Sequence, residues 1–331
     1  MEVEEVASLA PLVAELRAAL LWDPAVGDGN GSDKHLFVEA LTAVAALPQD
    51  SLSMEIRRLL VVSDNADDAA APPPHLLSVV AALDERDVLL KCKAASAVGA
   101  LCVSRVAGQL LLDMLGELIV ARVAKMATCR NQWAQGDAFS VLGWIVVIAD
   151  ESLLALVEPL VGSVVKSLRR NLTLVISAAA GDAELDDKTA ALVASEQATN
   201  FRVYALVLLL NICQRDVAML EPHAGDVVAA LRDAFQVLLL AVDESSRLID
   251  EIDPGEFGEL LRLAVTLLSL LVDVQEVVRT TVLELKMVPL LLKVKQLMHD
   301  DRTIDVLGGI EEAECLAELL TGLVDAVLGA S

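Results

Sequence analysis

The stretch DGNGSDKHLFVE, residues 28–39, carries the side chains best spaced to hold an ion. Asp28, Asn30 and Ser32 stand at positions one, three and five of a calcium loop. Glu39 stands at position twelve, where a bidentate carboxylate closes the coordination sphere. Two residues break the pattern: Asp33 replaces the sharp-turn glycine at position six, and His35 replaces the aliphatic residue usual at position eight. The simpler expectation is a Gly-rich loop that ends in a helix cap. Ser32 or Asp33 would then accept hydrogen bonds from the first free amides of the following helix.

Other candidate groups are dispersed. His35, His75, His223 and His299 each fall in or beside a polar break, which predicts surface histidines with no catalytic role. The cysteines Cys92, Cys102, Cys129, Cys213 and Cys315 form no CxxC pair, and four of them sit in apolar helical patterns. They read as reduced, mostly buried thiols. No HExxH, GxSxG, phosphate-binding loop or zinc-like Cys/His cluster is present. An enzyme would need carboxylates such as Asp137, Glu158 or Glu259 to converge in a closed pocket, so the sequence predicts no enzymatic site, no cofactor and no metal.

The elements that must position these residues are helices. Of the 331 residues, 55% are hydrophobic but only 3% aromatic, with Gly and Pro sparse, a composition that favours helix. The apolar run Val203–Ile212 within NFRVYALVLLLNICQ is too short to cross a bilayer, and no other run reaches the necessary length. The opening MEVEEVASLA is acidic where a leader would be basic, so a cytoplasmic or nuclear protein is expected. A net charge of −24, from 49 acidic and 25 basic residues, repels phosphate backbones and attracts a basic partner. The basic islands at Arg57–Arg58, at Lys166, Arg169 and Arg170, and at Lys286, Lys293 and Lys295 read as solvated helix faces. Neither nucleic acid nor membrane is an expected partner.

A small-then-large apolar pair, followed three residues on by another apolar residue, recurs along the chain. It appears as Ala97, Val98 and Leu101; Val141, Leu142 and Ile145; Ala205, Leu206 and Leu209; and Ala264, Val265 and Leu268. Weaker copies surround Ala40 and Ala317. Most copies lead into a polar break and a second apolar-periodic segment, interrupted by Pro159, Pro222 or Pro289, each a predicted junction between a short helix and a longer one.

With a cation before the signature (Arg202, Arg262) and an Asn near the end of the helix (Asn211), this unit resembles the armadillo/HEAT superfamily over roughly residues 35–325. The resemblance implies an all-α, right-handed α-solenoid of about 5–7 irregular repeats, forming one elongated domain over 1–331. Signature spacings of 44, 64 and 59 residues exceed the family period, and polar insertions at 63–75, 181–200 and 243–257 account for the excess. The Glu-rich start and Glu311, Glu312, Glu314 and Glu318 suit the polar faces of terminal units.

The function so implied is a non-enzymatic scaffold or adaptor that holds a protein partner on a concave face, with a basic partner matching the charge. The alternatives are a solenoid chaperone or nucleotide-exchange factor for a folded client, and a structural subunit of a large assembly. Importin-like members pair Trp with Asn in successive inner helices; no repeat here contains both, although Trp144 and Asn211 each occur in a signature helix. The candidate partner contacts are Arg202, Arg262, Asn211, Tyr204 and Trp133. Arg202 and Arg262 serve equally well as bridges between repeats through Asp or Glu.

Overall fold

A computed structural model describes residues 3–22, 32–62, 71–180, 196–242 and 254–329. All regular structure among the described residues is helical, as the composition predicts. The chain divides into two compact units, Met1–Glu158 and Pro159–Ser331.

The first unit contains α1 (Val3–Ala19), α2 (Ser32–Ala45), α3 (Ser51–Val61), α4 (Pro74–Ala82), α5 (Val88–Val103), α6 (Arg105–Ala127), α7 (Gln132–Ile148) and α8 (Glu151–Val157). The second contains α9 (Val161–Ala180), α10 (Glu196–Arg215), α11 (Ala224–Val242), α12 (Pro254–Val274), α13 (Glu276–Glu284), α14 (Met287–Leu297), α15 (Asp301–Leu307) and α16 (Ile310–Leu328). Pro159 and Pro222 lie in short 3₁₀ turns that lead into α9 and α11, and Pro289 lies in the first turn of α14. In that turn the missing amide of proline costs no intrahelical hydrogen bond.

Polar breaks between helices carry their own caps. Asp50, Asp87, Asn131, Asp150 and Asp300 each accept a hydrogen bond from the amide three residues on, closing the free N-termini of α3, α5, α7, α8 and α15. These bonds hold the carboxyls of Asp50, Asp150 and Asp87 below the ordinary aspartate range, with Lys34 making the largest contribution at Asp87. At the α5–α6 corner, Ser104 caps α6, and Gly108 lets the two helices meet closely. A Cβ at Gly108 would lie 2.5 Å from Ile148 Cδ1 and 3.0 Å from the Cys102 backbone.

In each unit the helices pack in two rows. In the first, α5 lies between α2 and α7, and α6 packs against α3 and α8. In the second, α12 lies between α10 and α16, while α11 lies between α9 and α14. The helices that bear the recurring apolar signature all fall in one row of their unit: α2, α5 and α7, then α10, α12 and α16. The four full signatures, from Ala97 to Leu268, are buried throughout, as is Ala40; Ala317 is half-buried. Each fully buried Leu or Val contributes about 1.5–3 kcal/mol, so the row is held mainly by these side chains. All five phenylalanines join the same cores, Phe37 and Phe139 in the first unit and Phe201, Phe235 and Phe257 in the second.

The expected insertions are shorter than the sequence suggests, because α4 begins at Pro74, α10 at Glu196 and α12 at Pro254. Their remaining parts, 63–70, 181–195 and 243–253, lie outside the described residues, as do the side chains of the Glu-rich start. Near the other end, Glu311, Glu312, Glu314 and Glu318 are exposed on α16.

Candidate functional site

The calcium-loop pattern does not assemble around its described half. Asp28 and Asn30 lie outside the described residues, but α2 already begins at Ser32 and continues past Glu39. Seven residues of helix separate positions five and twelve by about 10 Å along the axis, too far for ligands that must both approach one calcium ion to about 2.5 Å. Glu39 instead faces His35 one turn earlier, at 3.4 Å, and Asp33 lies in the first turn of α2.

The histidines and cysteines divide between surface and core. His35 and His299 are exposed and His223 is half-buried, but His75 is buried, and its Nε2 lies 2.7 Å from the carbonyl oxygen of Leu60. A surface histidine is therefore the wrong expectation for residue 75; a polar break sets its chain position without setting its burial. Cys92, Cys102 and Cys213 are buried, Cys129 is half-buried and Cys315 is exposed. Burial pushes the thiols of Cys102 and Cys213 up to about 12 and about 11, and that of Cys92 higher still, so none of the three is a ready thiolate.

Of the three candidate carboxylates, Asp137 is half-buried on α7, with Oδ2 enclosed and no hydrogen-bond partner on it. Burial pushes its carboxyl up to about 6, against a hydrogen bond from the Cys92 thiol and the charge of Lys93. Glu158 and Glu259 are exposed and belong to different units.

What each signature row leaves uncovered is a narrow strip, about one residue wide on α7 and up to two on α10. On α7 the strip runs through Trp133, Asp137, Ser140, Trp144 and Val147, at helical spacing; the first four are half-buried and Val147 is exposed. Trp144 lies beside Gly99 of α5, whose added Cβ would meet its ring at 3.7 Å. In the second unit the strip on α10 runs through Val203, Tyr204, Val207, Leu210 and Asn211, all half-buried, and continues on α12 through Arg262, Thr266 and Leu270. Tyr204, Asn211 and Arg262 thus share neighbouring helices, while Trp133 belongs to the other unit.

Arg202 does not join this strip. Its side chain is 2% exposed, its Nε donates to Glu256 Oε1 at 2.5 Å, and its Nη1 donates to Asn171 Oδ1 at 3.2 Å. One guanidinium therefore ties α10 to α12 and α9, which removes it as a partner contact in the folded chain. Arg262 bridges as well: it pairs with Glu259, faces Glu312 of α16 at 3.8 Å and donates to the carbonyl of Leu307 at the end of α15.

The same device recurs where the sequence gives no sign of it. Arg17 donates to the carbonyls of Leu59 and Val62, Arg122 to that of Val80, and the buried Arg57 to those of Leu47, Pro48 and Ala100. Carbonyls at helix ends are unpaired acceptors with partial negative charge, and an arginine from the next helix satisfies them. Every peptide unit offers such an acceptor, so no residue type marks the target.

The other row of each unit carries open grooves of opposite sign. In the first unit a groove of about 710 Å³ beside α6 and α8 is lined by Asp113, Glu117 and Asp150. In the second, a groove of about 740 Å³ along α9 is lined by Lys166, Arg169, Arg170 and His223. A neighbouring groove of about 530 Å³ is lined by Arg232, Lys286 and Lys293 together with four leucines.

No protein-family model matches the chain, and no curated protein does either. Among solved structures, it is similar to the crystal structure of an engineered protein with a TM-score of 0.51 and 16% identity, over 93% of this chain and 97% of that one. At that identity the likeness concerns the fold alone.

Proposed function

We propose that the chain is a non-enzymatic α-solenoid of the armadillo/HEAT kind, a scaffold that binds a protein partner along the uncovered strips of its signature helices. The observation that carries this reading is that every copy of the recurring signature lies in one packed row of its unit, with a half-buried strip left over that bears Trp133 and Trp144 in one unit and Tyr204 in the other. The arginine-to-carbonyl bonds between packed helices add support, since those of Arg17, Arg122 and Arg262, and the one from Arg57 to Ala100, span 42 to 45 residues. That separation falls within the repeat length of the superfamily. Half-buried Trp and Tyr provide rigid contact area at low entropic cost, the usual character of interface anchors. No helix among the described residues is long and apolar enough to cross a membrane, and the proposed setting is cytoplasmic or nuclear.

Photo-crosslinking tests this. A photoreactive amino acid placed at Trp133 or at Tyr204 should yield discrete protein adducts in cells, and the same group at exposed Leu156 on α8 should not. Adducts of equal yield from all three positions, or from none, would remove the strips as the binding surface.

A further inference from the structure

The two basic islands that read singly as solvated helix faces are brought into one row of the second unit, although more than a hundred residues of chain separate them. Lys166, Arg169 and Arg170 lie on α9; Lys286 and Lys293 lie at the start of α14 and within it; α11 packs between these helices and adds Arg232. A single acid joins the cations of α9 to that of α11. Asp233, 4% exposed, accepts from Arg232 Nε and Nη2 at 3.2 and 2.8 Å through Oδ1, and its Oδ2 lies 3.8 Å from Arg169 Nε. Asp226 holds the other side of Arg169 at 3.0 Å.

These two carboxylates fix the inner arginines. Lys166, Arg170, Lys286 and Lys293 make no ion pair among the described residues, and all four are exposed. In a chain of net charge −24, a segregated row of unpaired cations is against the average. Because screening confines each charge to about 8–10 Å, the row presents a positive field locally whatever the total.

We propose that this row is a docking surface for an acidic, leucine-bearing segment of a partner protein. Charge complementarity selects the acidic side chains. The groove between α11 and α14 selects the apolar ones, since Leu239, Leu240, Leu285 and Leu290 line it between Arg232, Lys286 and Lys293. A nucleic acid would use the cations but not the leucines, and the negative remainder of the molecule would repel its continuous phosphate charge. A segment that alternates carboxylates with leucines uses both. This rests on the scaffold reading and deepens it by giving one surface a partner chemistry.

The test is fluorescence anisotropy with a labelled peptide of Glu and Leu at helical spacing, run beside a Lys/Leu peptide of equal length, a Glu/Ser peptide and a single-stranded oligothymidine. Full-length protein should bind the Glu/Leu peptide best. The double variants K286E/K293E and K166E/R170E should each weaken binding about tenfold or more, and R105E/R130E in the first unit should leave it unchanged. Helical circular dichroism at the wild-type level verifies that the variants fold.

Three results would overturn the proposal: no saturable binding of the Glu/Leu peptide, binding unmoved by either charge reversal in folded protein, or preference for oligothymidine. Crosslinking from Trp133 and Tyr204 in the same variants separates the two readings. Loss of peptide binding with crosslinks intact removes only the basic surface. Loss of crosslinks in the unsubstituted protein removes the scaffold.

Discussion

The two units have the same problem, two rows of helices that must stay in register, and they anchor it with different polar chemistry. In the first unit the buried cation, Arg57, gives its hydrogen bonds to neutral carbonyls: Ala100 at 2.7 Å, Pro48 at 2.9 Å and Leu47 at 2.6 Å. In the second the buried cation, Arg202, faces a carboxylate that is itself wholly enclosed. A guanidinium against carbonyls is distributed over several weak, replaceable bonds. A guanidinium against one buried carboxylate makes each partner depend on the other, because either alone is an uncompensated charge in the core. The units should therefore differ in how sharply they respond to loss of a single polar group.

The chain provides its own reporters for this difference. Its three tryptophans, Trp22, Trp133 and Trp144, all lie in the first unit, and its one tyrosine, Tyr204, lies in the second. Tryptophan fluorescence follows the first unit during denaturant unfolding, and circular dichroism follows both.

The largest effect is expected from Glu256→Leu, which removes the one carboxylate that the enclosed Arg202 guanidinium faces at 2.5 Å. Destabilisation of about 3–5 kcal/mol should appear in the circular dichroism transition, with the tryptophan midpoint unchanged. The double variant Arg202→Met with Glu256→Leu should recover most of the loss, since two packed apolar side chains replace a pair whose desolvation offsets much of its attraction. A double variant as unstable as the single one would show that the pair itself, and not the orphaned charge, stabilises the unit. A tryptophan midpoint that moves with Glu256→Leu would show that both units unfold as one cooperative body and would dissolve the comparison.

Arg57→Met should cost less, about 2–3 kcal/mol, because no charge is orphaned and water can reach the part-buried carbonyls of Leu47 and Pro48. Here the tryptophan midpoint should shift. An effect as large as that of Glu256→Leu would mean that distributed carbonyl bonds are no softer an anchor than a buried ion pair.

The same contrast explains what could be read from the chain. Signature helices were legible because their signal is local: a small-large apolar pattern at helical spacing marks a buried face whatever it packs against. Arg202 was legible as a bridge in kind, through Asp or Glu, but its partner was not. Glu256 sits at the end of a polar stretch that reads as an insertion, and only the fold turns that end into the first turn of α12. The carbonyl acceptors of Arg17, Arg57 and Arg122 carry no side-chain identity at all. The basic row was visible only as two islands, since the helix that joins them contributes one arginine and a buried aspartate that looks like any other surface acid.

Asp137 gives the smallest effect and tests the first unit's strip from the inside. Its carboxyl, ordinarily near 3.8, is raised to about 6 by burial on α7, against the Cys92 hydrogen bond and the charge of Lys93, with Oδ2 enclosed and lacking a hydrogen-bond partner. Between those values the folded state holds more protons than the unfolded state, so this group's contribution falls as pH rises through about 4 to 6, and its full penalty is present at neutral pH. Asp137→Asn should therefore stabilise the tryptophan transition by about 1 kcal/mol at neutral pH and by nothing below about pH 4. The capping carboxylates of Asp50, Asp87 and Asp150 act in the opposite direction: their stabilisation is present above the unfolded aspartate range and is lost as pH falls through their lowered values. Only the difference between wild type and variant isolates Asp137. A difference that stayed constant across the range would mean that the carboxylate reaches water along the strip and is not held above its ordinary range.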